Sequence, residues 1–66
     1  MKAFVNGREC ELSGELTLVG LLEHLGAPTA GIAVAKNDRV VRRAAFASEL
    51  VREGDRIEII RAVAGG

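Results

Sequence analysis

The sequence predicts an α+β domain in which one sheet packs against one helix. Three observations favour this class: an Asn-Gly pair between two short extended runs, a single leucine stripe at helical spacing, and further extended runs after it. The predicted order is β-β-α-β-β-β, and we expect it to form one domain over residues 1–62. A chain of 66 residues is near the lower size limit for a self-sufficient hydrophobic core.

The first element is predicted to be a β-hairpin. Residues 2–5 and 8–12 are short extended runs, and Asn6-Gly7 separates them. Both central positions of a type I′ turn need positive φ, which Asn and Gly adopt more readily than other residues.

A helix is predicted next, because the apolar period changes from two to 3.6 residues. The stripe that should face the core consists of Leu18, Leu21, Leu22 and Leu25. Thr17 is placed to cap the N-terminus, and Gly26 is placed to end the helix in a left-handed conformation. Gly20 lowers the helix propensity by about 1 kcal/mol relative to Ala, so we expect the helix to depend on packing against the sheet.

The remainder of the chain is predicted to be extended again. Its predicted parts are a strand at residues 31–35, a tight turn at Asn37-Asp38, a short returning strand at residues 40–42, an irregular or single-turn connector at 44–50, a turn at 53–55 and a last strand at 56–63.

Strand alternation predicts which side chains form the core. Met1, Ala3 and Val5 share one face of the first strand, and Ile57 and Ile59 share one face of the last.

Two large apolar residues, Phe4 and Ile60, should then point to the opposite, open face. They are candidate docking residues for a partner protein. The alternative is that they are two scattered exposed apolar side chains, which are common on protein surfaces.

Composition excludes several classes of function. Nine basic residues balance nine acidic ones, and the chain has no Trp or Tyr, so nucleic-acid binding is disfavoured. Cys10 and His24 are the only soft ligands, too few for a metal site, and a single cysteine points to a reducing, cytoplasmic compartment. We expect Cys10 to be an inert thiol and His24 a solvated helix residue. No apolar run is long enough for a membrane span.

The sequence ends in Val63, Ala64, Gly65 and Gly66, directly after the predicted last strand. We expect residues 63–66 to be a flexible tail that presents the Gly66 carboxylate as a chemical handle. Glycines have no Cβ, so they can pass through a narrow channel and leave the acyl carbon open to attack. Arg61, just before the tail, is a third candidate docking residue, which could pair with acidic groups on a partner or with the terminal carboxylate. The alternative is that Arg61 is an ordinary solvent-facing strand residue.

Three motifs carry a resemblance to a known family. They are AVAKNDRVVRR at residues 33–43, EGDRIEI at residues 53–59 and the final VAGG. With Val5-Asn6-Gly7 and the leucine stripe, they make the chain similar from end to end to the ThiS family, the bacterial sulfur carriers of thiamine biosynthesis. The resemblance implies a ubiquitin-like β-grasp fold, which is a mixed sheet packed on one helix.

The resemblance also implies a carrier, not an enzyme. A partner similar to ubiquitin-activating enzymes would adenylate the Gly66 carboxylate with ATP and magnesium. Sulfur from a donor enzyme would replace AMP to give a thiocarboxylate, and thiazole synthase would take that sulfur. The carrier itself would bind no cofactor, and a monomer suits a protein that presents its end to two enzymes in turn.

Other functions stay open at this point. The small subunit of molybdopterin synthase is also a β-grasp chain ending in Gly-Gly, although that family commonly has a longer chain with a proline-rich approach to its glycines. A ubiquitin-like modifier that forms isopeptide bonds would need the same ending. A third possibility is a plain β-grasp interaction module whose terminal glycines are incidental.

Overall fold

Seven strands and one α-helix form within residues 1–61, the part of the chain that the computed structural model describes. In chain order they are β1 (Lys2–Val5), β2 (Arg8–Glu11), β3 (Leu16–Thr17), α1 (Leu18–Leu25), β4 (Ile32–Lys36), β5 (Arg39–Val41), β6 (Leu50–Val51) and β7 (Arg56–Arg61). A single turn of 3-10 helix, Arg43–Ala45, lies between β5 and β6.

Five of the strands form one mixed sheet in the order β2-β1-β7-β4-β5. The first and last strands, β1 and β7, pair in parallel, and the other neighbours pair antiparallel. The last strand therefore occupies the centre of the sheet. The predicted α+β class, with a mixed sheet packed on one helix, is confirmed.

Two tight turns connect neighbouring strands of this sheet. Asn6 and Gly7 have φ of 51° and 81°, and Asn37 and Asp38 have φ of 50° and 71°. Positive φ at both central positions matches the right-handed twist of the flanking strands. Both turns predicted from the sequence are confirmed.

The helix has the predicted caps. The Thr17 hydroxyl accepts a hydrogen bond from the Gly20 N–H at 3.1 Å, and Gly26 adopts φ of 69° with its N–H donating to the Glu23 carbonyl at 3.1 Å. With eight residues α1 is short, and no helix within residues 1–61 is long and apolar enough to cross a membrane.

The leucine stripe of α1 faces the core over only part of its length. Leu18, Leu21 and Leu22 are fully buried, whereas the side chain of Leu25 is 39% exposed. The prediction that Leu25 joins the core was therefore wrong. Leu25 is the last helical residue, and the chain turns away at Gly26, so fewer neighbours cover it.

A second, two-stranded sheet was missed by the sequence analysis. Leu16 pairs with Val51 and Thr17 with Leu50, so β3 and β6 form an antiparallel ladder beside the helix. A single helical turn was expected within the connector at residues 44–50, and the observed turn, Arg43–Ala45, begins one residue earlier. The end of the connector joins the ladder. Strands of two residues are too short to show an alternating pattern.

One lysine holds the connector against the main sheet. Lys36, at the end of β4, places its Nζ 2.6 Å from a Glu49 carboxylate oxygen and donates to the Leu50 carbonyl at 3.0 Å. Its side chain is mostly buried, so this ion pair is less screened by solvent than an exposed one. The start of β6 is thereby fixed relative to β4.

The core lies between α1 and the inner face of the main sheet. Its buried members are Ala3, Leu12, Leu18, Leu21, Leu22, Ile32, Val34, Phe46, Val51 and Ile57. The prediction for the inner face holds, since Met1, Val5 and Ile59 are partly buried and pack against this cluster. The two strands whose faces were assigned from alternation thus meet the helix as expected.

Candidate functional site

The chain reaches its last residues through the central strand. Arg61, the final residue of β7, lies opposite Ile32 of β4. Residues 62–66 follow, and the predicted site and tail residues Val63, Ala64, Gly65 and Gly66 lie outside the described part of the chain, as does the predicted domain boundary after residue 62. The structure therefore defines the strand that leads to the candidate site.

An asparagine side chain replaces a neighbouring strand at the far end of β7. β1 ends at Val5, and the chain turns away at Asn6, so β7 loses that partner. The Asn6 Oδ1 accepts a hydrogen bond from the Ile59 N–H at 2.8 Å, and its Nδ2 donates to the Ile59 carbonyl at 3.3 Å. The carboxamide thus pairs with both main-chain groups of Ile59.

A second turn asparagine holds the near end of the same strand. The Asn37 N–H donates to the Arg56 carbonyl at 2.7 Å, and its Oδ1 accepts from the Arg56 N–H at 2.9 Å. Its Nδ2 donates to an Asp55 carboxylate oxygen at 3.0 Å. Two turns therefore fix β7 from opposite sides, one at its start and one close to the tail.

We predict that Asn6→Gly loosens β7 near the tail while leaving the hairpin intact. Glycine keeps the positive φ that the turn needs but removes the two side-chain hydrogen bonds, which contribute about 1 kcal/mol each. Amide hydrogen exchange should show lost protection at Ile59. Unchanged exchange at Ile59 would mean that Asn6 acts only through its backbone.

Phe4 and Ile60 occupy the outer face of the sheet, as predicted. Phe4 is 38% exposed and Ile60 is 59% exposed. Phe4 lies opposite Arg56, so Ile60 is four residues further along β7, a separation of roughly 13 Å at strand rise, with Glu58 between them on the same face. The two side chains share a face without forming one continuous contact.

The apolar area extends further toward β5 than the sequence analysis predicted. Ala33 lies opposite Ile60, and Val40, which is 81% exposed, lies opposite Ala35. Directly opposed residues share a face, so all four belong to the outer side. We call Phe4, Ala33, Ala35, Val40 and Ile60 the outer apolar surface. Strand alternation was the missed signal, since Val40 and Val41 must point to opposite faces.

The other candidate residues also have defined positions. Arg61 is exposed at the end of β7. Cys10 is half-buried on β2 opposite Ala3, and His24 is exposed in the last turn of α1. Within residues 1–61, no three His, Cys, Asp or Glu side chains are grouped so that they could hold a metal ion.

These features define the class of the protein. A mixed five-stranded sheet packed on one helix, with the last strand in the centre, is a ubiquitin-like β-grasp domain. The family model described as the ThiS family matches residues 3–66. The chain therefore belongs to the ThiS family.

Solved structures support the same assignment. The crystal structure of the thiamine biosynthesis protein ThiS from Geobacter metallireducens superimposes with a TM-score of 0.87 at 32% identity, and the similarity covers all of both chains. A solution NMR structure from the same organism gives a TM-score of 0.78 at 32% identity. It covers all of this chain and 88% of the other.

Sequence relatives include both a free carrier and larger proteins. The sulfur carrier protein ThiS of Escherichia coli is 33% identical, and the match covers 100% of each chain. Thiazole synthases of Paramagnetospirillum magneticum and Magnetococcus marinus are each 35% identical over all 66 residues, but the chain spans only 20% of their length. The similarity thus extends both to a free sulfur carrier and to a segment of larger enzymes.

Proposed function

We propose that this protein carries sulfur, as a thiocarboxylate on Gly66, to the enzyme that forms the thiazole ring of thiamine. The observation that carries the proposal is the match to a sulfur carrier over the whole of both chains. The family match also continues through Gly65 and Gly66. The chemistry requires Gly66 to end in a free carboxylate.

The proposed reaction has two steps. A Gly66 carboxylate oxygen attacks the α-phosphorus of ATP, which releases pyrophosphate and leaves an acyl-adenylate. A sulfur nucleophile at the oxidation level of sulfide then attacks the acyl carbon, and AMP leaves with the electrons of the broken C–O bond. The product is a thiocarboxylate, whose sulfur is a better nucleophile at neutral pH than the original oxygen.

Partner proteins supply everything except the carboxylate. An adenylyltransferase similar to ubiquitin-activating enzymes would hold ATP and magnesium, a donor enzyme would deliver sulfur, and a thiazole synthase would accept it. Two thiazole synthases contain a segment similar to this chain, which supports the last of these partners. We propose that the carrier works in the cytoplasm as a monomer and binds no cofactor.

The architecture suits a tail that must enter another protein. Hydrogen bonds on both sides hold β7 from Arg56 to Ile59, so the strand leading to the tail has a fixed direction. Ordering four tail residues in a channel costs about 1–2 kcal/mol of backbone entropy for each residue. Contacts made by the folded body must offset that cost, and we assign this role to the outer apolar surface and Arg61.

One experiment tests the proposed function. The chain is incubated with an activating enzyme, ATP, magnesium and a sulfur donor, and its intact mass is measured. We expect a mass gain equal to replacement of one oxygen by sulfur at Gly66. Absence of both adenylate and thiocarboxylate would overturn the proposal, and transfer of sulfur to a molybdopterin precursor but not to thiazole synthase would reassign the pathway. A ladder of Gly66-linked conjugates in cell extract would favour a modifier.

Docking through the outer face can be tested separately. We predict that the double variant Phe4→Ser, Ile60→Ser stays folded, since both side chains are exposed, but binds the activating enzyme with at least about 1 kcal/mol less free energy. Calorimetry or surface plasmon resonance measures the loss. The matched control is Leu25→Ser, a similarly exposed apolar residue on the helix. Unchanged affinity in a folded double variant would contradict the docking role.

A further inference from the structure

Three exposed arginines lie at the end of the sheet where β7 ends. Arg61 lies opposite the first residue of β4. On the other side of β4, Val41 pairs with Val34, and the chain continues extended through Arg42, with φ of −70° and ψ of 146°. The register therefore brings Arg42 alongside the beginning of β4, at the same end of the sheet as Arg61, and Arg43 follows it as the first residue of the 3-10 turn.

These three side chains, which we call the arginine rim, are exposed and have no carboxylate partner within residues 1–61. Four of the other basic side chains are paired: Lys2 with Glu9, Lys36 with Glu49, Arg52 with Glu15 and Arg56 with Asp38. Arg8 and Arg39 also lack a carboxylate partner within residues 1–61, but Arg8 lies on the opposite edge strand β2 and Arg39 at the other end of β5. The chain has no net charge, yet three arginines without a carboxylate partner within residues 1–61 lie at the end of the sheet where β7 ends.

We propose that the arginine rim binds an acidic surface around the active-site entrance of the enzyme that adenylates Gly66. The proposal rests on the proposed function, because only a tail that enters an enzyme brings this end of the sheet against an enzyme surface. Guanidinium groups stay charged at physiological pH and pair with carboxylates through two parallel hydrogen bonds. The occupant is therefore a set of enzyme Asp and Glu side chains.

The charge of the rim also selects between partners. A second copy of the chain presents the same three positive charges at this end, so an end-to-end contact between carriers is repelled. Charged groups at the margin of an interface act mainly on the rate of association and on its salt dependence. The outer apolar surface would then supply affinity, while the rim orients the carrier so that its tail meets the entrance.

The test compares charge reversals at two ends of one strand. Arg42→Glu changes the rim, and Arg39→Glu is the matched control, because Arg39 is also an exposed, unpaired arginine of this strand region within residues 1–61 but lies beside Lys36 at the other end. Arg43→Glu and Arg61→Glu complete the set. Pyrophosphate release is measured with the activating enzyme while carrier, ATP and salt concentrations are varied separately.

For the rim variants we expect the KM for carrier to rise by about tenfold at low ionic strength, with kcat and the KM for ATP nearly unchanged. The difference from wild type should shrink as salt is added, because the Debye length falls below 10 Å above about 0.1 M. Arg39→Glu should give a markedly smaller rise.

Two results would overturn the proposal while leaving the proposed function intact. One is a KM for carrier that rises no more in Arg42→Glu than in Arg39→Glu. The other is a rise in the KM for ATP with no rise in the KM for carrier, which would indicate that the rim contacts the nucleotide phosphates. If the wild-type chain is not adenylated at all, the proposed function fails and the rim proposal fails with it.

Discussion

A chain shortened by Gly66 alone is expected to form thiocarboxylate at least about a hundredfold more slowly than the full chain, because misplacing a reacting group by 1 Å can cost that much. Deleting one residue still leaves a terminal glycine carboxylate, but it moves that carboxylate back by roughly 3.5 Å. The lost rate measures how closely the tail length matches the path from β7 to the bound nucleotide. Single-turnover assays with mass detection give the number.

Stability and docking should be unaffected by this deletion. The described sheet ends at Arg61 and the buried core residues lie between Ala3 and Ile57, so we expect the melting temperature of the shortened chain to equal that of the full one. The shortened chain should also compete with the full chain for the activating enzyme. Gly65→Ala is a companion variant that keeps the tail length but adds a Cβ. Comparing the two variants separates the effect of tail length from the effect of side-chain size in the channel. Normal thiocarboxylate formation in the shortened chain would show that the rate does not depend on tail length.

The largest effect on stability is expected from Leu22→Ala. Leu22 is fully buried among the core side chains, and Leu→Ala changes at such sites cost about 2–5 kcal/mol. A domain of this size has a free energy of unfolding of only about 3–10 kcal/mol at typical values per residue. The variant should therefore be marginally stable or unfolded at 25 °C. Urea titration followed by circular dichroism measures the change.

Leu25→Ala is the matched control, because it makes the same chemical change on the same helix. The Leu25 side chain is 39% exposed and lies at the end of α1, so its truncation should cost less than about 1 kcal/mol. Equal destabilisation by the two variants would show that the helix end is packed more tightly than the structure indicates. Leu25→Ala leaves the outer apolar surface unchanged, which makes it useful in binding assays.

Elements with strong local signals were predictable from the sequence. The Asn6-Gly7 turn requires positive φ at both positions, and the Thr17 and Gly26 caps bracket the helix, so local chemistry specified these elements. Alternation also placed Phe4 and Ile60 on the outer face. In each case the residues that determine the feature are only a few positions apart in the sequence.

Features that depend on distant pairing were not predictable. The β3–β6 ladder joins residues that are 33 and 35 positions apart through strands of two residues, and strands this short show no apolar period. The exposure of Leu25 depends on where the helix ends relative to the sheet. The position of the arginine rim follows from the register of β7, β4 and β5. That register depends on several turns and loop lengths together, so no single segment of the sequence predicts it.

The terminal glycines were the most informative local feature. The sequence alone could not show how β7, the strand that leads to them, is held in place. Asn6 is unremarkable in sequence beyond its turn, and only the register reveals that its carboxamide pairs with Ile59, 53 residues later. The same side chain thus serves the first turn and the last strand.

The parallel pairing of β1 with β7 links recognition to the folded state. Phe4 and Ile60 are 56 positions apart in the sequence, and they share a surface only after the last strand has inserted between β1 and β4. An unfolded chain carries the same terminal glycines but not that surface. An activating enzyme that binds both side chains would therefore bind unfolded carriers weakly. It would consume ATP only with folded chains.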